Sequence, residues 1–382
     1  MSWRIPLFKI YWDEEDVKAV TEAIKAGMNW AVGLSVEKFE EMIATYISTK
    51  YCVVFNSGTS ALHAVLLAHG IKQGDEVIVP SFTFIATANA PLFVGAKPVF
   101  ADIEEETLGL DPENVKEKIT SKTKAILPIH YGGCPCKIKE LKEIAEDSNL
   151  PLIEDAAESF GAKIGNKKVG TFGDYAILSF CQNKIITTGE GGAVVTDSRE
   201  IYEKLGLIRS HGRLETSNYF STAEHMDYVD LGFNFRMSNI TAALGIAQLK
   251  KIDKIIEMRR KNAEYIQEGL SKVRGISLLN PPVDYFHVYQ MYAIKVNEGG
   301  IMRHNLTKYL AENWIMTKIY FHPVHLTKFY RNEFGYKGGG LPITERVSDQ
   351  ILSLPMYPTL EEEEIAYIGE RISCFFSRGG DK

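Results

Sequence analysis

The chain has 382 residues, 45% of them hydrophobic and 24% charged, the proportions of a globular protein large enough for two cores. Its 43 Lys and Arg against 49 Asp and Glu leave a formal charge of −6, which excludes the basic footprint of a nucleic-acid or membrane-surface binder. No apolar run approaches the roughly 20 residues of a spanning helix, and the opening MSWRIPLFKIYWDEED lacks the apolar core of a secretory signal. Five scattered cysteines, an odd number, predict reduced thiols and a cytoplasmic protein. Cys134-Pro-Cys136 has no second Cys or His pair beside it, so no metal site is expected.

In chain order, Asp13 is placed to cap a helix over 14–25, with Val17, Val20 and Ile24 as its apolar stripe and Gly27 as its stop. A second helix is predicted over 36–49. From Tyr51 onward, short apolar runs alternate with helical patterns. The predicted strands are 52–55, 76–79, 98–100, 125–127, 152–153, 175–178 and 193–195, with helices at 61–68, 85–94 and 138–146. This α/β alternation predicts a mostly parallel sheet covered on both faces, with its chemistry at the carboxyl ends of the strands. A long helix is expected from Asn239 to about Leu270. Beyond it a smaller α+β unit is predicted, with strands near 289–296 and 316–320 and a closing helix at 360–375.

Four groups of residues follow predicted strand ends. Asn56-Ser57-Gly58-Thr59-Ser60 opens a helix, where backbone N–H groups and small hydroxyls suit a phosphate; a plain capped turn uses the same residues. Ser81-Phe82-Thr83-Phe84 offers an aromatic to a flat ring, or simply to the core. Glu154-Asp155 ends a buried strand, where an acid needs a cation, a proton or a cap. Either a ring nitrogen or a structural ion pair would serve. Ser179 to Lys184, followed by Thr188-Gly-Glu-Gly-Gly192, places a lysine in a confined turn where it can lose its proton and form a Schiff base. Together, in chain order, they describe a phosphate cradle, a stacking face, an acid for a ring nitrogen and a Schiff-base lysine. No G-x-G-x-x-G follows the first strand, so a dinucleotide-dependent oxidoreductase is set aside.

With these motifs the sequence resembles the sugar aminotransferases of the DegT/DnrJ/EryC1/StrS family. The resemblance runs through Ser57–Leu62, Gly74–Pro80, Glu154–Ala157, Gly170–Asp174, Thr188–Gly192, Gly232–Arg236, Ala242–Leu249 and Leu354–Met356. It implies the type I aspartate-aminotransferase fold: a large pyridoxal-phosphate-binding domain over 1–250 with a mostly parallel seven-stranded sheet, and a small C-terminal α+β domain over 251–382. It also implies pyridoxal 5′-phosphate as cofactor, carried by Lys184, which would then move the substrate proton. Asp155 would face the pyridinium nitrogen, Gly58, Thr59 and Ser179 the phosphate, and Phe84 one ring face. Glu158 would lie near the ring hydroxyl, where many relatives carry Gln or His. Asn234 would reach the cofactor phosphate of a neighbouring subunit, which implies a homodimer with shared sites. Asn183-Lys184 and Glu158 look most like perosamine-synthase-type members. Those take an amino group from glutamate to C4 of a nucleotide-linked keto-deoxysugar. The stretch His322-Pro-Val-His325 would face the sugar; a helix-entering turn is its plainer reading. The rivals are amination at C3, a dehydratase, which would carry His in place of Lys184, and a non-catalytic sugar-nucleotide-binding regulator.

Overall fold

Helix α1 (Glu14–Lys25) begins where Asp13 predicts. In the computed structural model, which describes residues 3–214 and 226–377, the Asp13 carboxylate accepts from Glu15 N while Asp16 accepts from Asp13 N, a reciprocal cap. Helix α2 (Leu34–Ile47) starts two residues before the predicted position.

Seven strands fall on the predicted apolar runs: β1 (Tyr51–Phe55), β2 (Glu76–Pro80), β3 (Lys97–Ala101), β4 (Thr123–Ile126), β5 (Ile153–Asp155), β6 (Tyr175–Ser179) and β7 (Gly192–Thr196). Their hydrogen bonds make two ladders, in the orders β1-β7-β6-β5 and β3-β2-β4. Isolated parallel bridges, Ile126 to Leu152 and Ile129 to Asp155, run between the two at β4 and β5. The pairs β2–β3, β2–β4 and β5–β6 are parallel, as expected, but β7 is antiparallel to both β1 and β6. The reason is the connection. Residues 180–191, between β6 and β7, contain no crossover helix, and without one the returning strand runs antiparallel.

Alternate residues of β1 enter opposite cores. Val53 and Phe55 pack with helix α3 (Gly58–Ala68), whereas Cys52 and Val54 pack with Phe39 and Ile43 of α2. Both faces of the sheet are therefore dry, and its polar chemistry is confined to the strand ends.

The long helix expected from Asn239 is two helices, Asn239–Leu249 and Ile252–Leu270. Lys251 leaves helical geometry at the break (φ −114°, ψ 9°), and its ammonium pairs with Asp13 and lies 2.7 Å from Asp16. The second of these helices serves two cores. Ile252, Ile255 and Ile256 pack behind the sheet; Ala263, Ile266 and Leu270 pack with Ile294, Leu352 and Ile368. Ile5, from the N-terminal segment, joins that second group.

The second core is built on an antiparallel sheet of β8 (Ile276–Leu278), β9 (Tyr292–Val296) and β10 (Ile351–Leu354), closed by helix Glu362–Ser377. The strand predicted at 316–320 is absent: Lys318 makes one isolated antiparallel bridge to Ser353 of β10. Among the described residues no helix is long and apolar enough to cross a membrane.

Candidate active site

The carboxyl ends of β1, β5 and β6 open on a cavity of about 340 Å³. At the end of β1, Ser57 caps α3 by accepting from Ser60 N, so the helix N-terminus carrying Gly58 and Thr59 faces this space. Gly58 fits closely there: a Cβ would stand 3.1 Å from the Cβ of Ser179, at the end of β6. Gly192, the first residue of β7, closes the same corner, since a Cβ on it would lie 2.5 Å from Gly58 N. The corner where the sequence predicts a phosphate cradle is a close approach of two strand ends, with Ser179 also lining the cavity.

Glu154 and Asp155 answer the question that the acidic pair posed. Glu154 is fully buried and faces away, accepting from the backbone N–H groups of Gly170, Phe172 and Gly173 and from His130 Nε2 at 3.0 Å. His130 Nδ1 accepts from Cys136 N, so the proton of the neutral ring is on Nε2. Glu154 and His130 are structural. Asp155 instead lines the cavity, accepting from Thr87 Oγ1 at 2.7 Å and from Ala157 N at 3.2 Å. Burial pushes its carboxyl up from the ordinary range, against those two hydrogen bonds and the charge of Lys184. A positive or N–H-bearing partner would relieve it.

Lys184 lies in the helix-free connection between β6 and β7, with its Nζ 3.4 Å from Glu158 Oε1. The other oxygen of Glu158 accepts from Gly132 N at 3.0 Å, which aims the pair into the cavity. The backbone carbonyl of Asn183 accepts from the Gln290 side-chain amide, holding the lysine turn against the segment before β9. Phe84, more than half exposed, forms part of the cavity wall ahead of helix Ile85–Phe93.

Of the other expected residues, His322 and His325 lie elsewhere, and Asn234, expected at a neighbouring subunit's cofactor, lies outside its own chain's cavity. Asn234 is exposed and outside this lining; its carbonyl accepts from Asn56 Nδ2 at 3.4 Å. His322 is exposed and also outside it. His325 does not face the cavity at all. It is buried, with Nδ1 2.7 Å from Ser81 Oγ and Nε2 3.3 Å from Glu345 Oε1, and its backbone N–H donates to Ser81 as well. The Ser81 hydroxyl, already accepting, donates to Nδ1, and Nε2 donates to Glu345. Both nitrogens are used in joining distant segments, so the expected sugar contact is replaced by a structural one.

The sequence reading missed Thr87, which holds Asp155, and the wall formed by Lys318, Tyr320 and Phe321. It also missed Cys181 and Glu190, which face each other across the cavity edge with Sγ 3.6 Å from Oε1. Thr87 had a faint signal as a lone hydroxyl in an apolar helix; Cys181 and Glu190 stand inside the lysine and glycine motifs without a role read for them, and Lys318 belongs to no motif.

Comparison with known proteins agrees with this geometry. Residues 11–373 match the DegT/DnrJ/EryC1/StrS aminotransferase family. The GDP-perosamine synthase of Escherichia coli O157:H7 is 36% identical over 373 residues, covering 98% of this chain and 99% of its own. Among solved structures, Helicobacter pylori PseC, an aminotransferase involved in the biosynthesis of pseudoaminic acid, superposes with a TM-score of 0.91 at 28% identity. It covers 98% of this chain and 99% of its own. DesV of S. venezuelae, solved in complex with a ketimine intermediate, reaches 0.89 at 30% identity over the whole of both chains. The chain is an enzyme and belongs to the DegT/DnrJ/EryC1/StrS aminotransferase family.

Proposed function

We propose that the protein is a pyridoxal-phosphate-dependent transaminase that moves an amino group from glutamate to C4 of a nucleotide-linked keto-deoxysugar. The observation that carries this reading is that Lys184 and Asp155 face one cavity beside the helix N-terminus at Gly58. The residues fit the cofactor. The glycine cradle leaves room against Ser179 that a Cβ would fill, and Asp155 is a buried acid whose hydrogen bonds among the described residues come from one hydroxyl and one N–H. Gly58, Thr59 and Ser179 would hold the phosphate, Asp155 the ring nitrogen, Phe84 a ring face, and Lys184 the aldehyde carbon. Bound there, the cofactor supplies an electron sink for the carbon losing or gaining the amine.

This chain's own work is positioning and proton movement. Lys184 Nζ, when not engaged by the cofactor, takes the proton from the carbon of the amino donor and returns one to the sugar carbon. Glu158, fixed by Gly132 N–H, holds that ammonium in place between transfers. Lysine at this position, where dehydratase relatives would carry His, supports amine transfer. The likeness to perosamine synthases supports C4 and a nucleotide sugar. Asn234, exposed and outside its own chain's cavity, suits a role in a homodimer, facing the cofactor phosphate of the partner.

The test is to supply the loaded enzyme with glutamate and a panel of nucleotide 4-keto and 3-keto sugars, following 2-oxoglutarate. We expect turnover with 4-keto sugars. Turnover confined to 3-keto sugars would move the assignment to C3.

A further inference from the structure

Five charged side chains line the cavity: Asp155, Glu158 and Glu190 against Lys184 and Lys318. Lys184 faces Glu158, which leaves Lys318 as the cation available to an incoming anion among the described residues of that lining. The Lys318 side chain is exposed, and its ammonium lies 5.0 Å from the centroid of the Tyr320 ring. No described carboxylate pairs with it.

Its backbone, by contrast, is fixed. Lys318 N donates to Ser353 O at 3.2 Å and Ser353 N donates back at 2.8 Å, so the residue is bolted to β10. Two residues on, the Tyr320 carbonyl accepts from Tyr131 Oη at 2.6 Å, which ties the segment to the loop beyond β4. A rigid pivot therefore carries a flexible four-carbon stem at the cavity wall.

We propose that Lys318 is a shared anion anchor, used in turn by a carboxylate of the amino donor and by the diphosphate of the nucleotide sugar. This rests on the functional reading above, in which the two substrates are both anionic and occupy the cavity alternately. An ammonium suits that task better than a guanidinium fork, because three rotatable donors on a flexible stem meet anions of different shape and depth. Three acids line the cavity against two cations, so an anion without this contact meets an unfavourable wall.

The experiment titrates the loaded enzyme calorimetrically with glutarate, which has the donor's two carboxylates and no amine, and separately with GDP, UDP and dTDP. Lys318→Ala should weaken glutarate and the preferred nucleoside diphosphate by about tenfold each, with no change in melting temperature. Lys318→Arg, which keeps the charge, should lose about threefold or less. Unchanged binding of either anion in Lys318→Ala would overturn the shared anchor while leaving the aminotransferase reading intact. Equal losses in the Ala and Arg variants would also overturn it, by marking a packing role. If the unmutated enzyme bound neither glutarate nor any nucleoside diphosphate, the functional reading itself would fall, and the anchor with it.

Discussion

Glu154 and Asp155 are consecutive in the chain and point to opposite sides of β5, one into the fold and the other into the cavity. The two-residue period of a strand makes this unavoidable: neighbouring side chains cannot share a face. One carboxylate thus satisfies the N–H groups of the turn at 170–173 and the other is left facing the cavity.

Substitution should separate them. Glu154→Gln replaces an oxygen that accepts from two buried N–H groups with an NH₂ that opposes both, and should lower stability by about 3 kcal/mol. Chemical denaturation would read this as a lower midpoint. A change in activity with no change in stability would contradict the structural role.

Asp155→Asn should do the reverse. The amide oxygen can take the Ala157 N–H while its NH₂ donates to Thr87 Oγ1, whose own proton turns to Thr83, so the fold should persist, but the charge proposed to face the ring nitrogen is gone. Turnover should fall by at least about 100-fold, with a melting curve near that of the parent. A loss of less than tenfold would remove Asp155 from the chemistry.

Gly58→Ala tests the cradle. Its new Cβ, 3.1 Å from Ser179 Cβ, needs a shift of a few tenths of an ångström at the strand ends that would hold the phosphate. Affinity for the cofactor should fall by about tenfold, while Ala's better helix propensity keeps the apoprotein stable within about 1 kcal/mol. Equilibrium dialysis with pyridoxal phosphate measures it, and unaltered affinity would put the phosphate elsewhere.

His287 gives the protein an acid-sensitive point away from the cavity. Burial, with the nearby Arg260, pushes its imidazole down to about 3, and its Nδ1 accepts from Tyr289 N, which requires the neutral ring. A base whose folded value is depressed is protonated more readily when unfolded. Its stability contribution is therefore complete above about pH 6.5 and is lost as pH falls from there toward 3. Relative to His287→Gln, the parent should lose melting temperature steadily over that window. A constant difference between the two proteins would contradict this.

Much of the fold was legible because its signals are local. Apolar runs marked β1 to β7, and Asp13 and Ser57 marked helix starts through caps that need only three residues. The direction of β7 had a weaker local clue, the absence of a helical pattern between Leu178 and Ala193. What could not be read was placement across distance. His325 looked like a pocket residue until Ser81, 244 residues away in sequence, was seen to hold its ring. Lys318 carries no motif; it reaches the cavity wall because Ser353 pairs with its backbone. At the break before Ile252, likewise, Lys251 leaves helical geometry and pairs with Asp13 and Asp16, 238 and 235 residues away in sequence.

The proposed chemistry depends on Lys184 carrying the cofactor. The direct measurement is to load the purified protein with pyridoxal phosphate, reduce with borohydride, digest and locate the modified peptide. The cofactor should be fixed on the peptide containing Cys181-Gln182-Asn183-Lys184, and Lys184→Ala should take up none covalently. Labelling at another lysine, or an unlabelled protein after reduction, would contradict the central claim.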